Sequence, residues 1–212
     1  MIEIIKKIPK NNTVNVAFSG GVDSLALALY FKNKGFTTKL LHFNHCSEHS
    51  DKFETFCVNI ANKLNLPIIV GNNNKEKSKK QSLEDFWRQC RYDFLFENCE
   101  NNGYIVTGHH LNDAVETWIW SSLNGEGKLI QEHKVLKNCT KTCNIIRPFL
   151  LNKKQKLEEY VNYHNIESIY DDSNSDNKYT RNYIRNVMME HVKFVNPGIE
   201  KVIYKKYKYK KQ

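Results

Sequence analysis

The chain has 212 residues, 40% of them hydrophobic, enough for one compact core and too apolar for a wholly disordered protein. Its 32 Lys and Arg against 23 Asp and Glu give +9 before eight His are counted, which suits either a polyanionic partner or a merely solvated basic surface. The start MIEIIKKIPK lacks a long apolar region and a small-residue cleavage site, and no window approaches a membrane span of about 18 apolar residues, so a cytoplasmic setting is expected. Cys46, Cys57, Cys90, Cys99, Cys139 and Cys143 include no CxxC pair, which argues against zinc ribbons and thioredoxin-like sites and for reduced thiols.

In chain order, Val14 to Phe18 is a short β-branched run between Asn-rich and Gly-rich punctuation and reads as a strand, with Asp23 to Lys32 as the helix after it. Lys39 to Phe43 is a second strand, Ser50 to Leu64 a helix, and Pro67 to Val70 a third strand. Gly71 to Lys80 has no apolar residue and reads as a surface loop. Ser82 is a candidate cap for a helix whose Leu83, Phe86, Trp87, Cys90, Phe94 and Leu95 form an apolar stripe. Tyr104 to Thr107 is a fourth strand, a helix runs from about Asn112 to Ser122, and Asn144 to Ile146 is a fifth apolar stretch. A helix at Lys153 to His164, the polar segment Asp171 to Lys178 and a helix from Tyr179 to Phe194 follow. Strands alternating with helices predict an α/β fold: an open, mostly parallel five-stranded sheet with helices on both faces, then a short helical C-terminal segment.

The glycines of SGGVDS, Ser19 to Ser24, fall between the first strand and the first helix. Such a turn brings backbone N–H groups close to an anion and adds the positive end of the helix dipole. Gly20 and Gly21 remove side-chain bulk, and Ser19 and Ser24 supply hydroxyls. The Lys of GxxxxGK[ST] is missing, so this is not the usual triphosphatase loop. Asp23 would repel phosphates directly, so it suits a Mg²⁺ ligand bridging to pyrophosphate; the bland alternative is a plain strand-to-helix turn capped by Asp23 or Ser24.

In HHLNDAVET, His109, Asp113 and Glu116 lie four and three residues apart. If the helix begins at or just after His109, they share one face that points into the crevice where α/β sheets bind ligands. A buried pair of acids requires a cation, and Mg²⁺ or an ammonium group is expected; a charged helix N-terminus stabilised by its dipole is the plainer alternative. Arg88 and Arg91 share a helix with aromatic neighbours, and Arg181 and Arg185 repeat at i, i+4. All four could equally be solvated or paired with acids.

SGGVDS after an apolar strand resembles the PP-loop of the ATP pyrophosphatase superfamily, a Rossmann-like fold. Within it the chain is similar to the tRNA(Ile)-lysidine synthetase family, through HFNHCSEHSD (His42 to Asp51), LEDFWRQCRYDFL, GHHLNDAVET, RPFL, DDSNSDNKYTRNYIR (Asp171 to Arg185) and NPG. The resemblance implies a carbon–nitrogen ligase splitting ATP to AMP and pyrophosphate. Its partners would be a tRNA(Ile) with a CAU anticodon and free L-lysine, with a homodimer open. It implies that Ser19, Gly20, Gly21, Val22, Asp23 and Ser24 hold ATP, with Mg²⁺ on Asp23. It implies that Asp23, His109, Asp113, Glu116, Arg88 and Arg181 form the active site, His109 or one of the two α-helical acids serving as general base.

The expected organisation is a catalytic domain at 1–198 and a basic Lys/Tyr-rich tail at 199–212, suited to phosphates and unpaired bases or else a solubilising end. Cytidine thiolation, or an inactive tRNA-binding remnant, are the alternative readings.

Overall fold

The computed structural model describes residues 1–46, 50–79, 81–170 and 175–209. Residues 47–49 of HFNHCSEHSD, 171–174 of DDSNSDNKYTRNYIR and 210–212 of the tail lie outside the described residues.

Val14–Ala17 (β1) turns Val14 and Val16 to one face of the sheet, both buried, and lies at its centre. The chain then runs through Val22–Asn33 (α1), Thr38–Asn44 (β2), Ser50–Lys63 (α2), Ile68–Asn72 (β3), Leu83–Glu97 (α3) and Gly103–Val106 (β4). Leu111–Leu123 (α4), His133–Lys137 (β5), Thr142–Ile146 (β6) and Lys154–Tyr163 (α5) follow. Among the described residues one sheet has the order β3-β2-β1-β4-β6-β5, parallel except for β5.

The expected five strands are all present, and β5 is a sixth. It hides in the sequence because an edge strand needs no buried face: HKVLK is partly exposed throughout. Its pairing with β6 closes over a turn in which Asn138 Oδ1 accepts from the Lys141 amide at 2.8 Å. The predicted loop also starts later than expected. Gly71 belongs to β3, and a Cβ there would stand 2.3 Å from the Phe94 ring, so the glycine makes room for α3 to pack on the sheet.

Helix α1 is apolar on nearly every side and buried accordingly, Leu25, Leu27 and Leu29 joining Phe149, Leu157 and Val161 on one face of the sheet. Helix α3 covers the other face, with Phe94 and Leu95 against Leu41, Ile105 and Ile145. Because β1, β2 and β3 progress one way and β4 enters on the far side of β1, the strand order reverses between β1 and β4, and the crevice lies at their carboxyl ends.

The predicted helix Tyr179 to Phe194 is divided into Thr180–Tyr183 (α6), a wide π-turn at Ile184–Met188 and Met189–Val195 (α7). Ile199–Lys208 forms a further helix, α8. Its Ile199, Ile203 and Tyr207, spaced i, i+4, i+8, pack in one cluster with Leu111, Val115 and Ile119 of α4, and the Tyr207 hydroxyl donates to Ile130 O at 2.8 Å. Lys201, Lys205, Lys206 and Lys208 remain exposed. No helix among the described residues is long and apolar enough to cross a membrane, and the six cysteines are unpaired thiols.

Candidate active site at the sheet switch point

The loop between β1 and α1 is tied by its own hydroxyls. Ser24 Oγ donates to Gly21 O at 2.9 Å and accepts from the Ser19 amide at 3.2 Å. Gly20 has φ +79°, and a Cβ there would meet Cys57, Phe56 and Ile169 at 3.0 Å each, so both the backbone conformation and the space require glycine. No side chain among the described residues caps α1, whose first N–H groups point into the crevice, available to an anion.

Asp23 sits in the first turn of α1. Its Oδ1 is buried without a hydrogen-bond partner among the described residues; the nearest cationic candidate, His110 Nε2, is 3.6 Å away. Burial pushes the Asp23 carboxyl above its ordinary value, Asp113 adds to this and His110 opposes it. A carboxylate oxygen in that position fits a divalent cation that draws its other ligands from phosphates and water. Among the described residues no three or more His, Cys, Asp and Glu gather to enclose a metal. Gly108 lets Asp23 lie there, because a Cβ on it would come within 3.0 Å of Asp23 Cβ.

Helix α4 begins at Leu111, one residue before the expected Asn112, with His110 as its cap, so His109 lies outside the helix. His109 precedes the helix and pairs its Nδ1 with Thr107 Oγ1 at 2.9 Å. The 2% exposed His110 takes the place beside the acids: its Nδ1 accepts from the Asp113 amide, its own amide donates to Asp113 Oδ2 at 3.0 Å, and its Nε2 lies 3.4 Å from Asp113 Oδ2. His110 Nε2 therefore lies between the phosphate-loop acid Asp23, 3.6 Å away, and the helix acid Asp113, 3.4 Å away.

Asp113 and Glu116 do share a face and are 8% and 3% exposed. Two guanidinium groups, of Arg181 and Arg185, lie against both acids. Arg185 binds Glu116 two-pronged, Nε to Oε1 at 2.8 Å and Nη2 to Oε2 at 2.9 Å, and reaches Asp113 Oδ1 at 3.1 Å. Arg181 lies 3.3 Å from Asp113 Oδ1 and 3.5 Å from Glu116 Oε2. Burial alone would raise the Asp113 carboxyl, but His110, Arg181, His109 and the His110 amide outweigh it and hold it below the carboxylate range.

Beyond the acids the crevice wall is cationic. Burial pushes His109 down to about 3; Asp113 opposes, while Arg147, Arg181 and Arg88 add to the effect, so His109 is neutral at physiological pH. Arg147, at the end of β6 and 5% exposed, donates from Nη1 to Gln131 O at 2.6 Å, and its Nε has no partner among the described residues. Arg88 is exposed and stacks its guanidinium 5.2 Å from the Tyr92 ring centroid. Burial would raise the Tyr92 phenol, yet Arg147, Arg88 and Arg91 hold it below 10.

Six sequence-selected residues, Asp23, His109, Asp113, Glu116, Arg88 and Arg181, thus border one crevice, together with Arg185, noted in the sequence only for its spacing from Arg181, and His110, Gly108 and Arg147, which the sequence left in the background. Arg147 had a faint signal, an Arg directly after an apolar strand and before a proline.

The sequence pattern of the PP-loop domain family matches residues 1–192. The chain belongs to the PP-loop domain family. Among curated relatives it is 33% identical over 197 residues to the tRNA(Ile)-lysidine synthase of Buchnera aphidicola subsp. Schizaphis graminum, covering 89% of this chain and 43% of the relative. Against the enzyme of the same name from Persephonella marina the identity is 33%, covering 94% and 46%, and against that of Thermotoga maritima it is 31%, covering 91% and 48%. This PP-loop chain spans a little under half the length of those relatives. In fold it is similar to the U34-tRNA thiolase NcsA from Methanococcus maripaludis, with a TM-score of 0.73 at 14% identity over 97% of this chain and 74% of that one.

Proposed function

We propose that this PP-loop chain joins lysine to C2 of cytidine 34 in an isoleucine tRNA with a CAU anticodon, using ATP, which it splits to AMP and pyrophosphate. The observation that carries the reading is the closeness of Asp23 on the phosphate loop and Asp113 on α4 about His110 Nε2, 3.6 and 3.4 Å away, since it brings a nucleotide site and an acid site into one crevice. The named relatives at 31–33% identity support the choice of acceptor.

Ser19 to Ser24 hold the ATP phosphates by backbone N–H groups and the start of α1. Asp23 is the residue that would hold Mg²⁺, and the ion would supply charge neutralisation at the phosphates. The C2 carbonyl oxygen of the base attacks the α-phosphorus; a P–O bond forms, the bond to the bridging oxygen breaks, and pyrophosphate leaves. The lysine ε-amine, having lost its proton, then attacks C2, and AMP departs with the former carbonyl oxygen. Asp113 and Glu116 attract the lysine ammonium as Arg181 gives up its looser contacts to them, 3.3 and 3.5 Å, while Arg185 keeps its fork on Glu116; Arg88 and the released Arg181 orient anionic groups of the substrates. His109, held at about 3, accepts a proton poorly, so the lysine proton passes to one of the helix acids, Asp113 or Glu116, or to water. Residues 1–198 form the catalytic unit, and the exposed lysines of α8 add phosphate contacts.

Withholding lysine tests the order of steps. With ATP labelled at the α-phosphate and a CAU-anticodon tRNA(Ile) transcript, label should collect on the tRNA as an adenylate and be chased off as AMP when lysine is added. Pyrophosphate release with no label on the tRNA at any time contradicts the reading.

A further inference from the structure

Helix α3 presents a stripe toward the crevice that the proposed chemistry does not use in full. Glu84, Trp87, Arg88 and Arg91 fall at i, i+3, i+4 and i+7, while Phe86, Cys90 and Phe94 turn into the core. Trp87 meets His45, just past the carboxyl end of β2, with ring centroids 5.6 Å apart. His45 meets Phe43 at 5.1 Å, and Phe43 meets Phe94 at 5.5 Å. The four rings thus form a row from the core to the rim, anchored where Gly71 makes room for Phe94.

The outer end of the row neighbours the phosphate loop in the sheet, since β2 pairs with β1 up to Leu41 beside Ala17, the Phe18 amide donates to Leu41 O at 2.8 Å, and His45 and Ser19 follow just beyond the carboxyl ends of the two strands. Trp87 and His45 are only half-buried, so ring surface stays open. His45 Nδ1 is buried with no hydrogen-bond partner among the described residues. Burial, with Arg91 and His42 nearby, pushes His45 down to about 4, so its ring is uncharged at pH 7. Further along the stripe, Arg88 stacks on the Tyr92 ring at 5.2 Å and Arg91 lies near His45 with its charge partly desolvated, and neither makes an ion pair among the described residues.

Aromatic surface next to free guanidinium forks is the combination that holds an unpaired nucleotide: the ring replaces the stacking a base loses when it leaves its neighbours, and the forks take the phosphates on either side. We propose that Trp87 and His45 are the seat of the acceptor base, with Arg88 and Arg91 gripping its flanking phosphates. The seat rests on the tRNA reading above and assigns to it the residues that receive the base.

The test uses the full chain and two transcripts of the CAU-anticodon tRNA(Ile), one intact and one abasic at the acceptor position. Wild type should bind the abasic transcript roughly tenfold more weakly, the loss expected for one stacked base. Trp87→Leu should bind both transcripts alike, raise the tRNA KM by a similar factor and leave the ATP KM within twofold of wild type, and Trp87→Phe should recover most of the discrimination. Equal discrimination in wild type and Trp87→Leu overturns the seat, as does a wild type that binds both transcripts alike while still incorporating lysine. If the wild type incorporates no lysine into the intact transcript, the functional reading fails first.

Discussion

Arg185 closes on Glu116 with two nearly parallel hydrogen bonds, 2.8 and 2.9 Å, and thereby fastens the π-turn after α6 to the crevice face of α4. The wide turn sets this grip, because it adds a residue's width to the helix at the position of Arg185. Removing one partner of such a pair leaves a 3% exposed carboxylate without its main cation. Breaking a buried pair costs about 3–5 kcal/mol, and Arg181 retains part of this, so Arg185→Ala should lose about 2–3 kcal/mol in urea unfolding. Arg185→Lys should recover only part of the loss, since an ammonium cannot make the fork. A change under about 0.5 kcal/mol, the range of ordinary surface substitutions, would show that the pair does not hold the C-terminal helices to α4.

Asp23 carries the opposite balance. Its carboxyl is raised above its ordinary value by burial, so the folded chain holds that proton more tightly than the unfolded chain, and ionisation above the unfolded pKa costs stability. Asp23→Asn should therefore raise the Tm at pH 7 in the absence of nucleotide while abolishing lysine transfer, a trade of stability for function. Adding ATP and Mg²⁺ should raise the Tm of wild type and leave the variant nearly unmoved. A variant less stable than wild type at pH 7 would contradict this account of Asp23.

Three histidines contribute to the acid limb of stability, His42 lowered by burial and two others lowered further. His109 is held at about 3 and His45 at about 4, both below the ordinary 6.5. Between those values and 6.5 the unfolded chain binds protons that the folded chain does not, so stability falls as the pH drops from 6.5 toward 4. Asp113, held below the carboxylate range, adds its loss lower still. The double variant His45→Gln, His109→Gln should flatten the fall in Tm between pH 6.5 and 4, and an unchanged slope would mean that neither histidine is held neutral in the fold.

Gly108 should tolerate no side chain. A Cβ would lie 3.0 Å from Asp23 Cβ and 3.1 Å from its carbonyl carbon, so the end of β4 or the start of α1 must shift by a few tenths of an ångström. Misplacement on that scale at reacting groups lowers rates by roughly tenfold or more, so Gly108→Ala should reduce kcat/KM by at least that factor with the fold retained by circular dichroism. Full activity in the variant would show that Asp23 needs no such close packing.

Much of this was legible in the sequence, and the rest was hidden for physical reasons. The β1, loop and α1 unit announces itself because the apolar pattern changes period across two glycines. Asp113 and Glu116 share a face because three residues nearly complete a helical turn. Which histidine joins them depends on the helix starting at Leu111 rather than two residues earlier, and either start suits HHLND, so the roles of His109 and His110 appear only in three dimensions. Arg181 and Arg185 are equivalent by spacing; the π-turn decides that Arg185 makes the closer grip. Gly71 read as the start of a loop, yet its role is an absence of side chain opposite Phe94, a partner distant in the chain.

The most direct measurement is incorporation of labelled lysine by the full chain into a CAU-anticodon tRNA(Ile) transcript with ATP and Mg²⁺, with pyrophosphate followed in the same reaction. The account predicts one lysine joined per pyrophosphate released, lost in Asp23→Asn and absent with a tRNA whose acceptor position is not cytidine. Pyrophosphate release without lysine on the tRNA, or lysine joined at any position other than C2 of that cytidine, would contradict it.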